Sequence, residues 1–447
     1  MSPNAATVYV GACESATPAE VTRHVRAALE ALAVSAPPSG SVIVQPSAPW
    51  SHPLYAPDAC TSEATIEGVA GAFAPATVLL GVNSLPGFPS RYTTRAAGYD
   101  GLARRIGARL VRFDEAPTRA LRGAEIPNAD GRGTEAVLAA PQAWLDAGFR
   151  IALSRLTGSA ILPFAGALRH LFDLVPPDMQ AAEFHRIQEA ILLLARWAPP
   201  NLVVVDAVDA THEGGEISGT PVHLGVLLIG TDPIAVDLVA SVLYGVPATE
   251  LSFLPQNSPS VEDLALVGDL TLDDLRRRAA AVHRLDPNPE AFPVPSKVRV
   301  ARSPRARLAG PSGLLTEALA ALRRGGVSFD GARETTFVIG PAESIPDGTT
   351  DYSTIIFVGD SARGDYKGYS RIIRLPTRNP PLSRILVDVP FAMTIANVRS
   401  QLGWRFMLAG LASTLARTLG RGSGGAGGAT TSSDVGEGGG DRPAPDS

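Results

Sequence analysis

Cysteine is nearly missing from this chain of 447 residues. Only Cys13 and Cys60 occur, too few for a thiolate-held iron–sulfur cluster or a four-cysteine zinc site. They leave a single disulfide open, although a reducing compartment is the simpler setting. Lysine is scarce beside arginine, and a net charge of −5 with an isoelectric point near 5.9 gives no basic field for a phosphate backbone. Nucleic acid is therefore not expected as a partner. No run of about 18 uninterrupted apolar residues marks a membrane span, and the start, MSPNAATVYVGAC, lacks the basic and long apolar regions of a secretory signal. The expected location is the cytoplasm. Missing motifs narrow the chemistry further. No GxGxxG follows the first strand, no HExxH occurs and no GxSxG presents a serine, which removes support from nicotinamide binding, zincin chemistry and serine hydrolysis.

What remains is apolar and regularly patterned. At 45% apolar residues the chain can bury a large core, and its length suggests two or three structural units. Thr7 to Cys13 and Ser41 to Gln45 read as short buried strands. Between them Thr17-Pro18 opens a helix with Val21, Val25, Leu29 and Leu32 on one face, Thr17 suiting the N-cap and Pro18 the first turn. The rhythm continues with a helix near Ser62 to Phe73, a strand at Thr77 to Val82, a helix near Tyr99 to Ile106 and strands at Arg109 to Phe113 and Phe149 to Leu153. Helical segments follow near Gly166 to Leu174 and Ala181 to Trp197. Alternation of this kind predicts an α/β fold with a mostly parallel sheet flanked by helices.

The main α/β domain is expected over residues 1–290. Residues 291–326 are rich in Pro and Arg and read as a linker or extended arm, and a smaller C-terminal α/β unit is expected over 327–420. Residues 421–447 carry almost no apolar side chains and are expected to be a disordered tail. The helical region from Pro381 to Leu419, with Val398, Leu402, Arg405, Phe406 and Leu408, is the place where peripheral contact with a membrane surface or a partner would fall. Packing onto the main domain is its simpler role.

The densest set of ionisable groups lies in NLVVVDAVDATHEGGEISGTPVHLGVLLIGTDPIAVDLVASVLYG, from Asn201 to Gly245, which reads as strand, polar loop, strand, helix. Ligand sites of open parallel sheets sit at the carboxyl ends of strands, so Asp206, after LVVV, and the residues after GVLLIGT are candidates. Glu213 lies in a Gly-flanked loop whose backbone can approach a ligand, and His212 beside it titrates near neutral pH in its free form. Asp232, before Pro233, has helix capping as its competing role. Asp237 sits among Ile234, Val236, Leu238 and Val239, where a charge needs an ion pair, several donors or a ligand. Arg155 and Arg169 could clamp an anionic or polarised oxygen, with surface ion pairing as the alternative, and His170 adds an imidazole.

The segment GTDPIAVDLVASVLYG, with VVVDAVDATHEGGEISGTP before it, resembles the domain of unknown function family 362. The family pattern falls on Asp206, Glu213-Gly214, Ser218-Gly219-Thr220-Pro221 and Gly230 to Asp237, and the resemblance spans about residues 41–267. Relatives often carry a ferredoxin-like iron–sulfur module, whose clustered cysteines are missing here. A Lys-x-Lys-Thr-His stretch and a following Lys-Asn-Leu-Phe-Gly helix fall on RLTGS and RHLFD, so that Arg155 and Arg169 stand for lysines, Ser159 for a histidine and His170 for an asparagine. An early Lys-Pro-Asn becomes Gln45-Pro46-Ser47.

Taken together, these residues suggest an acid/base enzyme without a redox cofactor, of isomerase, cyclase or decarboxylase type, acting on a small carbonyl-containing or polyketide-like metabolite. Asp206 or Glu213, with His170 or His212, would exchange the proton, while Arg155, Arg169, Ser159, Asp232 and Asp237 would bind substrate. No metal ligand is assigned. Two alternatives stand beside this one: a non-catalytic accessory or metabolite-binding protein, and an enzyme holding a magnesium-like ion on Asp206, Glu213 and Asp237. Oligomeric state has no signature in the sequence.

Overall fold

The computed structural model describes residues 6–35, 40–127, 134–251, 253–255, 257–284, 298–302, 311–327, 333–375, 382–383, 385–386, 389 and 408–416. The strands are β1 (Thr7–Ala12), β2 (Ser41–Pro46), β3 (Thr77–Val82), β4 (Arg109–Arg112), β5 (Thr118–Pro127), β6 (Thr134–Pro141), β7 (Phe149–Arg155), β8 (Leu202–His212), β9 (Thr220–Gly230), β10 (Ala265–Gly268), β11 (Val298–Arg302), β12 (Thr335–Pro341), β13 (Thr354–Arg363) and β14 (Arg371–Leu375). Eight of them form the main sheet in the order β10-β1-β9-β8-β7-β2-β3-β4. Neighbours run parallel except at β9, which is antiparallel to both β8 and β1. The chain is an α/β protein with a mostly parallel, helix-flanked sheet.

Local chemistry sets the elements where the sequence pattern is clear. In the helix Pro18–Ala31 the Thr17 side chain accepts from the Glu20 amide and Pro18 occupies the first turn, while Val21, Val25 and Leu29 are buried. The segment expected as one helix from Ala181 to Trp197 is instead the end of a helix (Pro177–Glu183), a 3-10 turn (Phe184–Arg186) and a second helix (Ile187–Trp197). The continuous buried run of β8 goes on past Asp206 through Ala207 and Val208, and the strand extends to His212. Asp206 is thus in mid-strand. The antiparallel β5–β6 ribbon was not expected from the pattern.

The two faces of the sheet bury different helices. Val42, Val44, Leu202 and Val204 pack with Val21, Val25, Ile66, Val69 and Leu102, from the helices Pro18–Ala31, Glu63–Gly71 and Tyr99–Arg105. Ile43, Ala152, Val203 and Val205 share a core with Leu168, Ile191 and Val236, from Ala167–Leu171, Ile187–Trp197 and Pro233–Leu243. Each of the Val, Leu and Ile side chains among these contributes about 1.5–3 kcal/mol on full burial. The β2-to-β3 crossover lies on the first face and the β7-to-β8 crossover on the second, so the winding reverses between adjacent β2 and β7. That reversal opens a crevice at the carboxyl ends of those two strands.

A second sheet, β11-β12-β13-β14, is parallel throughout and gives the smaller α/β unit. Part of the stretch expected as a linker over 291–326 is in fact β11 and the helix Pro311–Arg324. Leu314, Leu315, Ala318, Leu319 and Leu322 recur at helical spacing, and they join one core with the main sheet's helices and with Phe337, Ile339, Ile356 and Val358. The tail from 421 to 447 lies outside the described residues, as do Val398, Leu402, Arg405 and Phe406. In the helical segment 408–416, Leu408, Leu411 and Leu415 are exposed, while the Ser413 hydroxyl donates to Glu115 Oε1 at 3.0 Å. Among the described residues no helix is long and apolar enough to cross a membrane.

Candidate functional site

At the crevice between β2 and β7 stands Arg169, only 2% exposed, on the short helix Ala167–Leu171. Its guanidinium forks onto Glu216, with Nε to Oε1 at 2.9 Å and Nη2 to Oε2 at 2.8 Å, and its Nη1 donates to Asp173 Oδ1 at 2.9 Å. A buried cation held by two carboxylates is the expected way to keep all three charges out of water. His170 Nε2 lies 2.8 Å from the Gln45 carbonyl oxygen. A carbonyl only accepts, so Nε2 carries the hydrogen, and Nδ1 faces Asp173 Oδ2 at 3.4 Å without an aligned hydrogen bond. Gln45 Oε1 and Ser154 Oγ are also buried without a hydrogen-bond partner among the described residues.

Two cavities meet at Glu216. The first is polar, about 10 Å³ in volume, and lined by Ser47, Ser154, Arg155, Thr157, Arg169 and His170, with Asp173 and Glu216. It is close to the ~10–15 Å³ that one water needs. The second, about 30 Å³, is walled by Leu85, Ile161, Phe184, Leu314 and Leu382, and Glu216 and Glu317 are its charged groups. Glu317 arrives from the helix Pro311–Arg324 of the smaller unit. Its Oε1 accepts from the amides of Ile217 (2.7 Å) and Ser218 (3.0 Å), and its Oε2 from the Ser218 hydroxyl (2.9 Å). Arg324 of the same helix donates to the Gly219 carbonyl and to Asp58. The β8–β9 loop that presents Glu216 is therefore held by the second unit.

Burial dominates the electrostatics. It raises Glu216 to about 7, against the pull of Arg169 and with help from Asp173 and Glu317. The Arg169 fork suits the ionised carboxylate and burial suits the neutral one, which poises the group near neutral pH. Burial also raises Glu317, against its amide donors. For Asp173 burial is again the largest influence and acts upward, yet Arg169 and His170 together bring it below the ordinary carboxylate range.

Gly215 makes the Glu317 contact sterically feasible, since a Cβ there would lie 1.8 Å from Glu317 Oε2. Gly215→Ala is expected to expel that carboxylate and leave buried donors unpaired, lowering stability by about 1–3 kcal/mol. A denaturant midpoint unchanged from the parent would show that the loop does not depend on Glu317.

The structure brings together only some of the residues expected to form the site. Arg155, Arg169 and His170 line the polar cavity. Neither arginine is a free clamp: Arg155 donates to the carbonyls of Asp209 and Cys60, and Arg169 is engaged by its two acids. Asp206 is on the opposite face of the sheet, where its oxygens accept from Thr65 Oγ1 (2.8 Å) and the Val208 amide (3.1 Å), and burial raises it. Glu213 is exposed, with φ of 56°, and His212 stacks on His283 with ring centroids 5.5 Å apart. Neither residue lines either cavity. Ser159 Oγ accepts from the Ile161 and Leu162 amides, beside the apolar cavity. Asp232 caps the helix Pro233–Leu243 at the other end of the sheet, a consequence of the antiparallel course of β9.

Asp237 is buried on the Arg169 side of the sheet and accepts from the amides of Ala167 (2.6 Å) and Leu168 (2.9 Å), anchoring the helix that carries Arg169 and His170. Burial raises it to about 7. Asp206, Glu213 and Asp237 therefore do not converge as ligands for a hard ion. Sequence reasoning missed Asp173 and Glu317 as site residues and, although it placed Glu216 among the ionisable groups at the sheet's rim, gave it no role. Asp173 had a signal, its i,i+4 spacing from Arg169.

The iron–sulfur group common among the resembled family does not fit this chain's donors. Cys13 and Cys60 are too few to hold a cluster, and their thiols donate to separate carbonyls, those of Ser15 and Trp50.

Comparison with known proteins gives one family match. No curated protein matches the chain. Among solved structures, the lactate racemase apoprotein from Thermoanaerobacterium thermosaccharolyticum is similar at 9% identity and a TM-score of 0.34, over 80% of this chain and 71% of that one. A structural-genomics target from Thermotoga maritima is similar at 8% identity and a TM-score of 0.33, over 76% of this chain and 70% of that one. The model of the family described as "Domain of unknown function (DUF362)" matches residues 42–241, the segment that contains β2, β3, β7, β8 and the Arg169–Glu216 pair.

Proposed function

We propose that this protein is a proton-transfer enzyme in which Glu216 removes and returns a proton beside the carbonyl of a small molecule. The observation that carries this reading is the position of Glu216 between a polar and an apolar cavity, poised near neutral pH by burial against the Arg169 fork. A general acid/base is most effective when it titrates near the working pH. The apolar cavity takes the body of the substrate, and the Ser154 hydroxyl is the unpartnered donor left for its oxygen. Arg169 and Asp173 act as positioning residues, fixing the Glu216 carboxylate through the guanidinium. At about 30 Å³ the apolar cavity admits a carbonyl compound only as the Phe184 segment and the helix Pro311–Arg324 move apart. Isomerisation, cyclisation and decarboxylation all share this proton step.

The reading is tested by incubating the full chain in deuterium oxide with a panel of 2-oxo acids, 2-hydroxy acids and 1,3-diketones, following loss of the α-proton signal by NMR. Wild-type exchange that falls at least about 100-fold in Glu216→Gln supports it. Exchange equal in the two proteins, or none above the buffer rate with any member of the panel, overturns it.

A further inference from the structure

On the face of the main sheet opposite Arg169, β1 ends at a second group of reactive side chains. Cys13 and His24 are fully buried and Glu20 is partly exposed, and one donor atom from each lies within 4.8 Å of the other two. We propose that Cys13, Glu20 and His24 bind a divalent cation of the zinc class, with the fourth position open to solvent. This site is independent of the reaction assigned to Glu216.

Thiolate, imidazole and carboxylate in one place is a donor set suited to zinc. In a tetrahedral site with a metal–sulfur distance of about 2.3 Å and metal–nitrogen or –oxygen distances of about 2.0 Å, donors stand roughly 3.3–3.7 Å apart. A closure of about 1 Å therefore completes the geometry. One imidazole nitrogen already presents a lone pair, as a ligand must. Arg23 Nη2 lies 2.8 Å from His24 Nε2, and a guanidinium only donates, so Nε2 carries the lone pair and Nδ1 the hydrogen. That hydrogen faces Tyr9 Oη at 3.0 Å, with Asp269 Oδ2 at 3.8 Å, and Asp269 is itself fixed by the Ala12 amide at 3.0 Å. A carboxylate behind the distal nitrogen is the usual outer partner of a metal-bound histidine.

What occupies the lone pair is displaceable. The Arg23 side chain is 60% exposed, and its acidic neighbour, Glu20, is 4.0 Å away. An incoming cation would replace one positive charge by another and release the arginine to water. Without a cation Cys13 is an inert thiol, pushed up to about 12 by burial and by the nearby Glu20 and Asp206, whereas coordination deprotonates a thiol outright.

The test is a cobalt titration of the full chain after chelator treatment. One equivalent of Co²⁺ is expected to give a thiolate-to-cobalt band in the near ultraviolet together with the intense visible bands of a tetrahedral site, and Zn²⁺ to abolish both. Cys13→Ser should remove the near-ultraviolet band. Because Cys13 is buried and its variant risks misfolding, Glu20→Gln on the partly exposed helix face supplies the second arm, with affinity expected to fall at least about tenfold. Absence of a saturable one-to-one signal, a thiolate band that survives in folded Cys13→Ser, or unchanged affinity in Glu20→Gln would each overturn the assignment.

Discussion

Replacing Arg169 with methionine is expected to lower the free energy of unfolding by about 3–5 kcal/mol, read from the denaturant midpoint at constant slope. The size follows from what the substitution leaves behind. Asp173 and Glu216 are both buried, and Arg169 is their shared counter-charge. Methionine fills much of the volume but compensates neither acid, so each must be protonated or hydrated in a place built for a guanidinium. The triple change Arg169→Met, Asp173→Leu and Glu216→Leu should recover most of that loss, since removing a buried ion network whole is close to neutral. The same triple variant should be inactive. A loss below about 1 kcal/mol for Arg169→Met would mean that the network behaves as a solvated surface pair.

The second large effect is on the pH dependence of stability. Glu216 is raised from 4.5 to about 7 by burial and Asp237 from 3.8 to about 7 by the same cause. In both cases the native state holds a proton that the unfolded chain has already released. Their contribution is therefore fully present below the unfolded values and is lost as pH rises through about 7. For Glu216 the change is on the order of 3 kcal/mol, at about 1.4 kcal/mol per unit. Glu216→Gln keeps the neutral shape and removes that titration. Its midpoint should decline less than that of the parent between about pH 4.5 and 8, the remaining decline reflecting Asp237 and other groups. Parallel curves for the two proteins would show that burial does not shift Glu216.

Much of the frame was legible because its signals are local. Thr17-Pro18 marks a helix start through one side-chain bond and one missing amide hydrogen, and Thr77–Val82 is a strand whose ends coincide with those expected. The GTDP motif reads correctly as a capped helix at Asp232. The site itself depended on contacts across 47 residues, from Arg169 to Glu216, and across about a hundred, from Ile217 to Glu317. No spacing rule reports those. Glu216 has glycine for a neighbour on one side and lies in a polar loop, which reads as solvated until the helix Pro311–Arg324 covers it. That helix was hidden by the Pro- and Arg-rich stretch before it, although Leu314, Ala318 and Leu322 carry its period. Asp206 was misplaced as a strand end because LVVV is the more conspicuous half of an eleven-residue strand.

The reach of Glu317 into the β8–β9 loop bears on how far the chain can be shortened. A fragment cut to the family-matched residues 42–241 would lack β1, which fills the sheet position beside β9. It would also strip the carboxylate from the amides of Ile217 and Ser218. Trimming to the recognisable portion thus yields an open sheet edge and an untethered turn, and expression work on this protein should keep the chain through β14, whose sheet packs on the helix that carries Glu317.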